Sequence, residues 1–237
     1  MALAALGVAP LAMAGPLTVV APNANQSANG SGITFGVFGF VTDLTFQWGY
    51  AASQFSAIPV GSVITSIGFR IAAGDSTVTS ALTYSEFDIE VSTPAFPISS
   101  LTNNFANNQG ANLVTVLSGP LTIPGGSLVG GAGPNPFYDI TFTTPFVYPG
   151  GDLLFTILRS GPTPSPLLST ADANTLASLP AGLTNAVAGG LNATTGVLGP
   201  NSPITKLDFA RVPEPATLAL LGIGLAGIGF ARRRKLH

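Results

Sequence analysis

The sequence predicts an all-β protein: an antiparallel β-sandwich, jelly-roll-like in its connections, followed by a single C-terminal transmembrane helix. Three observations lead there. Short runs rich in β-branched and aromatic residues recur along the chain, several with strict alternation of apolar and polar positions. Pro-Gly and Gly-Gly signals separate them, at Pro124-Gly125-Gly126 and Pro149-Gly150-Gly151, and hardly any stretch has a helical period. Finally, residues 216–231 form an uncharged apolar run of 16 residues, followed at once by Arg232, Arg233, Arg234 and Lys235.

Taken in order, residues 1–14 (MALAALGVAPLAMA) are apolar and end in Ala12-Met13-Ala14, the A-x-A form of a signal-peptidase site. No Lys or Arg precedes the apolar region. A signal peptide is expected here, either weak or belonging to a chain whose true start lies upstream. Residues 15–32, with NANQSANGSG at 23–32, are polar and small and predict a flexible arm.

The sandwich is expected over residues 33–212. Its strands begin with 33–40 (ITFGVFGF) and 44–50 (LTFQWGY). In 62–71 (SVITSIGFRI), alternation places Val63, Thr65, Ile67 and Phe69 on one face. The clearest strand is 84–92 (YSEFDIEVS), with Phe87, Ile89 and Val91 opposite Glu86, Asp88 and Glu90. Residues 113–118, 137–143 (FYDITFT) and 153–159 (LLFTILR) continue the series, and 206–212 (KLDFARV) reads as the last strand. Between them, 160–166 (SGPTPSP) predicts a proline-rich loop. Residues 167–203 are rich in Ala, Gly, Thr and Asn, with Asp172 their only charge, and read either as a helical excursion near 170–179 or as an irregular lid.

Charged residues make up 8% of the chain, against about 25% in ordinary soluble domains. Without the terminal basic cluster and Glu214, four cations (Arg70, Arg159, Lys206 and Arg211) face nine acids, a net charge of −5. That balance offers no electrostatic footprint for nucleic acid. Cysteine is absent and His237, the last residue, is the only histidine. Disulfides, Cys-His and Ser-His-Asp machinery are thereby excluded from the body. A hydrolase working through carboxylates alone remains as an alternative function, but Asp88 and Glu90 read best as a solvated strand face. No cofactor is expected. A structural Ca²⁺ held by Asp75, Asp139, Asp152 or Asp172 is the one metal the composition suggests, without any D-x-D-x-D-G loop to support it. The match of Gly222, Gly224 and Gly227 to G-x-G-x-x-G lacks the strand before it and the acid after it that a dinucleotide site requires.

As a helix, residues 216–231 would extend roughly 24 Å, short of the ~30 Å hydrocarbon core, a deficit that bilayer thinning and snorkelling arginines absorb. The cationic cluster favours the cytoplasmic side and leaves the body across the membrane. Pro213-Glu214-Pro215, apolar span and Arg cluster, in that order at residues 213–237, resemble the PEP-CTERM sorting signal of Gram-negative bacteria. The resemblance implies recognition of Pro213, Glu214 and Pro215 by an exosortase, cleavage near that motif, and membrane retention through Arg232, Arg233, Arg234 and Lys235. It also implies transient anchoring in the inner membrane, then release to the cell surface or matrix.

The body has a resemblance of its own. Phe46-Gln47-Trp48-Gly49-Tyr50, Ser53-Gln54-Phe55, Phe87-Asp88-Ile89-Glu90-Val91 and Thr144-Pro145-Phe146-Val147-Tyr148 are similar to a recurrent β-domain of PEP-CTERM proteins, over roughly residues 44–160. That domain type implies no enzymatic activity. Family association points instead to a structural or adhesive role with exopolysaccharide in a biofilm. The competing expectation is a carbohydrate-binding module whose exposed rings, Trp48, Tyr50 and Tyr138, stack on sugars.

Overall fold

A computed structural model describes residues 17–39, 42–164, 170–175, 187–199 and 201–211. Among them, two antiparallel sheets pack face to face. One has the order β1 (Leu17–Ala21), β15 (Thr205–Ala210), β4 (Val63–Phe69), β9 (Tyr138–Val147). The other runs β13 (Val197–Leu198), β12 (Val187–Gly189), β3 (Leu44–Tyr50), β10 (Leu153–Arg159), β6 (Phe87–Ser92), β7 (Val114–Leu117). The chain passes repeatedly between them, from β3 to β4, back to β6, and from β9 to β10. This is the antiparallel sandwich the pattern predicts. Two smaller pairings, β2 (Gly32–Thr34) with β11 (Ala171–Thr175) and β14 (Asn201–Pro203), and β5 (Leu82–Tyr84) with β8 (Leu121–Ile123), flank it.

Aromatic side chains fill the space between the sheets. Trp48 stacks on Phe155 at 5.6 Å and meets Phe69 of the facing sheet edge-on at 5.8 Å. Ile64, Ile67, Leu207 and Phe209 complete the core from one side, and Phe87, Ile89, Val91 and Ile157 from the other. The alternation read in β6 is realised, since Phe87, Ile89 and Val91 are all fully buried.

In β4 the alternation breaks. Its register against β15 shifts between Ser66, opposite Asp208, and Ile64, opposite Phe209. Thr65 is therefore an extra, bulged residue. Ile64 joins Ile67 and Phe69 in the core, while Val63 and Thr65 are only half-buried. A period-2 reading cannot anticipate an inserted residue.

Three further expectations change. Part of the supposed flexible arm at 15–32 is strand β1, paired along its length from Leu17 opposite Phe209 to Ala21 opposite Thr205. Of the predicted strand 33–40, Ile33 and Thr34 alone among the described residues lie in a paired strand, β2. The segment near 170–179, read as helix or lid, contributes β11, which crosses to β2 and β14. A buried ion pair at its centre supplies the reason.

Arg70, just past β4, donates from Nε to Asp172 of β11 at 2.8 Å, its Nη2 lies 2.8 Å from the same oxygen, and both side chains are almost wholly buried. Burial pushes the Asp172 carboxyl up, against the opposing pull of Arg70 and the Gly30 amide. The guanidinium also donates to the Ala28 carbonyl and lies 5.0 Å from the Phe137 ring centre. The Gly30 amide donates to the other Asp172 oxygen at 2.9 Å. Any Cβ at Gly30 would collide with the Ala173 carbonyl, so the loop passes here only as glycine.

A second buried cation, Arg159, donates to the carbonyls of Phe35, Gly36, Gly39 and Ser160 and faces the Tyr84 ring at 5.7 Å. Burial lowers it to about 10 and raises the Tyr84 phenol to about 12, so the guanidinium stays charged at neutral pH. The two arginines close one end of the sandwich.

The outer face of β3 and β10 is covered as well. Gln47, fully buried, donates to Thr156 at 3.0 Å and accepts from Asn108 at 2.8 Å. Asn108 closes α1, the single turn Phe105–Asn108, and its own carbonyl oxygen takes the Thr102 amide and hydroxyl. A paired polar layer thus fastens the segment 93–113 over the sheet.

Candidate sorting site

The strand that leads into the predicted signal is an interior one. β15 is hydrogen-bonded to β1 on one side and β4 on the other. The alternating KLDF pattern sends Leu207 and Phe209 inward, where Phe209 meets Tyr148 and Phe55 at ring distances of 6.1 and 6.5 Å. On the outer face, Lys206 pairs with Asp139 at 2.5 Å and Asp208 at 3.4 Å. Thr205 receives the Tyr50 hydroxyl at 2.7 Å. Ala210 and Arg211 are exposed. The chain is therefore held rigidly up to Ala210 and leaves the sheet there.

Asp208 sits at the junction of the three strands, accepting from Thr18 at 2.6 Å and Ser66 at 2.7 Å. Burial alone would raise its carboxyl, but these hydroxyls and Lys206 outweigh it and hold the group below the usual carboxylate range. A native value below the unfolded one adds stability at pH above the unfolded value, ~3.9, and that stability is lost as pH falls through the native value. Asp208→Asn should thus lower stability at pH 6 and flatten the loss on going to pH 3. Thermal melts at both pH values check this; a variant with an unchanged acid slope would contradict it.

The registers place the exit point. Ala210 lies opposite Val63, which lies opposite Val147, and Leu17 lies opposite Phe209. Tyr50 lies opposite Leu153, and Ser92 opposite Leu154. Both ends of the described chain therefore emerge at one end of the sandwich, beside the segments 51–62, 93–113 and 148–152. The buried Arg70 and Arg159 close the other end.

The family model described as the PEP-CTERM protein-sorting motif matches residues 211–235. The chain carries a PEP-CTERM sorting signal. No curated protein and no solved structure matches it. A PEP-CTERM signal marks an exported protein that an exosortase handles, anchored in the membrane for a time and then placed at the surface. The match begins at Arg211, the residue after β15 ends. Pro213, Glu214 and Pro215, the 216–231 run and Arg232 to Lys235 lie outside the described residues. Among the described residues, no helix is long and apolar enough to cross a membrane.

The residues expected to stack on sugars are not brought together. Trp48 and Tyr50 are fully buried, because β3 pairs on both sides and lies beneath the facing sheet. Burial raises the Tyr50 phenol, whose hydroxyl serves the Pro203 carbonyl and Thr205. Tyr138 lies at the start of β9 in the other sheet, half-buried against the core. These three rings form no surface row.

The carboxylates considered for calcium are likewise dispersed. Asp75 accepts from the Thr170 amide and hydroxyl, Asp152 from the Ala52 amide, Asp139 pairs with Lys206, and Asp172 with Arg70. Asp88 takes the Gly119 amide and Glu90 the Gln109 side chain, so this pair holds two different segments. Among the described residues, no three His, Cys, Asp or Glu side chains gather as a metal site would need.

Sequence reasoning missed Phe96. This ring is 49% exposed in an open groove of about 390 Å³ shared with Thr93, Gly151 and Asp152, at the exit end. The signal was present: Pro94-Ala95-Phe96-Pro97 places a phenylalanine between prolines, outside any strand pattern.

Proposed function

We propose that this chain is a non-enzymatic structural or adhesive protein, delivered to the cell surface or extracellular matrix by exosortase cleavage near Pro213-Glu214-Pro215 and associated there with exopolysaccharide. The observation that carries the sorting half is the PEP-CTERM match beginning one residue beyond an interior strand. Cleavage at that point removes the tail and leaves every ladder of the sandwich intact. While anchored, the chain has its basic cluster in the cytoplasm and its sandwich on the opposite side.

Support for a non-enzymatic body comes from its chemistry. Residues 33–212 hold neither Cys nor His. The carboxylates that would replace such machinery are engaged with amides, hydroxyls or cations of the fold. Burial of Trp48 and Tyr50 weighs against the sugar-stacking alternative and in favour of a structural role.

The motif can be tested without disturbing the sandwich. Pro213→Ala combined with Glu214→Ala should make the uncleaved form accumulate in the inner membrane, read as a higher-mass band in that fraction. Processing and release at the wild-type rate would refute the role assigned to these residues.

A further inference from the structure

The end of the sandwich that carries the tail is also its apolar end. Val60 is 70% exposed and Val147 59%, and with Phe96 and Leu113 they account for half of the large exposed hydrophobics among the described residues. Val60 reaches Gly150, Phe96 lines one groove with Gly151, and Leu113 immediately precedes β7. Among the described residues, the charges in the segments 51–62, 93–113 and 148–152 reduce to Asp152, whose carboxylate already accepts the Ala52 amide. Arg211, at the exit itself, adds one cation.

The tether to the membrane is short. Residues 211–215 separate β15 from the apolar run, and five residues reach at most about 18 Å. With the basic cluster at the cytoplasmic interface, a span of roughly 24 Å leaves about 6 Å of hydrocarbon for the tether to cross, plus a headgroup layer of about 5–8 Å. Only about 4–7 Å remain, close to the length of one side chain. If the bilayer thins enough to remove the deficit, about 10–13 Å remain, still too little to lift the domain clear of the surface.

We propose that, before cleavage, the exit end of the sandwich seats on the outer surface of the lipid bilayer, with Phe96, Val60, Leu113 and Val147 entering the headgroup region. This rests on the sorting reading above and adds a lipid-facing surface to it. The seating turns the end sealed by Arg70 and Arg159 away from the membrane. With so short a tether it also keeps residues 213–215 close to the bilayer surface.

The cysteine-free chain permits a direct test. The full chain carrying Phe96→Cys or Val60→Cys, and Ile33→Cys at the opposite end as a control, is labelled with an environment-sensitive fluorophore and reconstituted into phosphatidylethanolamine–phosphatidylglycerol vesicles. Labels at 60 and 96 should shift to the blue and be quenched by lipid-borne quenchers, while the label at 33 stays aqueous. Aqueous spectra at all three positions in a chain that floats with the vesicles would overturn the seating and leave the anchor standing. A chain that does not float would overturn both. In cells lacking the exosortase, a photocrosslinker at 96 that captures protein rather than lipid would likewise overturn it.

Discussion

Asp172→Ala should destabilise the protein by about 3–5 kcal/mol, the cost of leaving one partner of a buried ion pair unpaired. Asp172 is not decoration on β11. Its oxygens take the Arg70 guanidinium and the Gly30 amide, and its own amide and carbonyl bond Arg70 and Ile204. Removing the carboxylate strands Arg70 in a site where it is only 1% exposed. The comparison that isolates the mechanism is Arg70→Met with Asp172→Leu. Replacing both charges by apolar groups removes the unpaired cation and should recover much of the loss. Denaturant titration of the purified chains decides it. A single variant within about 1 kcal/mol of wild type would mean that water reaches the pair.

Trp48→Ala should cost a similar ~3–5 kcal/mol by a different route, the large-to-small cavity penalty. The indole touches Phe46 at 5.3 Å, Phe155 at 5.6 Å and, across the interface, Phe69 at 5.8 Å. Its removal opens a void that straddles both sheets, and rigid aromatic neighbours collapse poorly into it. Trp48→Phe keeps a ring and should cost distinctly less. Circular dichroism melts of the three proteins check the order wild type, Phe, Ala. An Ala variant as stable as the Phe variant would contradict the packing described.

These two positions also show what the sequence could and could not convey. The strand character of 44–50 was legible from its aromatic and β-branched residues, but not the fact that both edges of β3 are paired. Trp48 and Tyr50 therefore look like candidates for an exposed row in the sequence and lie in the core in the structure. The Arg70–Asp172 pair joins residues about a hundred positions apart, and no local pattern announces it. Without that partner, an Ala-, Asn- and Thr-rich stretch around β11 reads as helix or lid. Residues 17–21 have good strand composition, but they follow a predicted cleavage site and precede a polar run. Their pairing with β15 spans nearly the whole chain. By contrast, β6 declares itself through its own alternation, and the tail through the order of its parts.

The sorting signal occupies residues 211–235, and the sandwich determines where the chain leaves the fold to enter it. An interior strand leads into the signal, and both ends of the described chain lie at one end of the sandwich. The most direct measurement is the intact mass of the exported protein from cells with and without the exosortase. The expected result is a mature chain ending near residues 213–215 in the first case and a membrane-bound chain extending through His237 in the second. A C-terminus intact through His237 in both would contradict the sorting account.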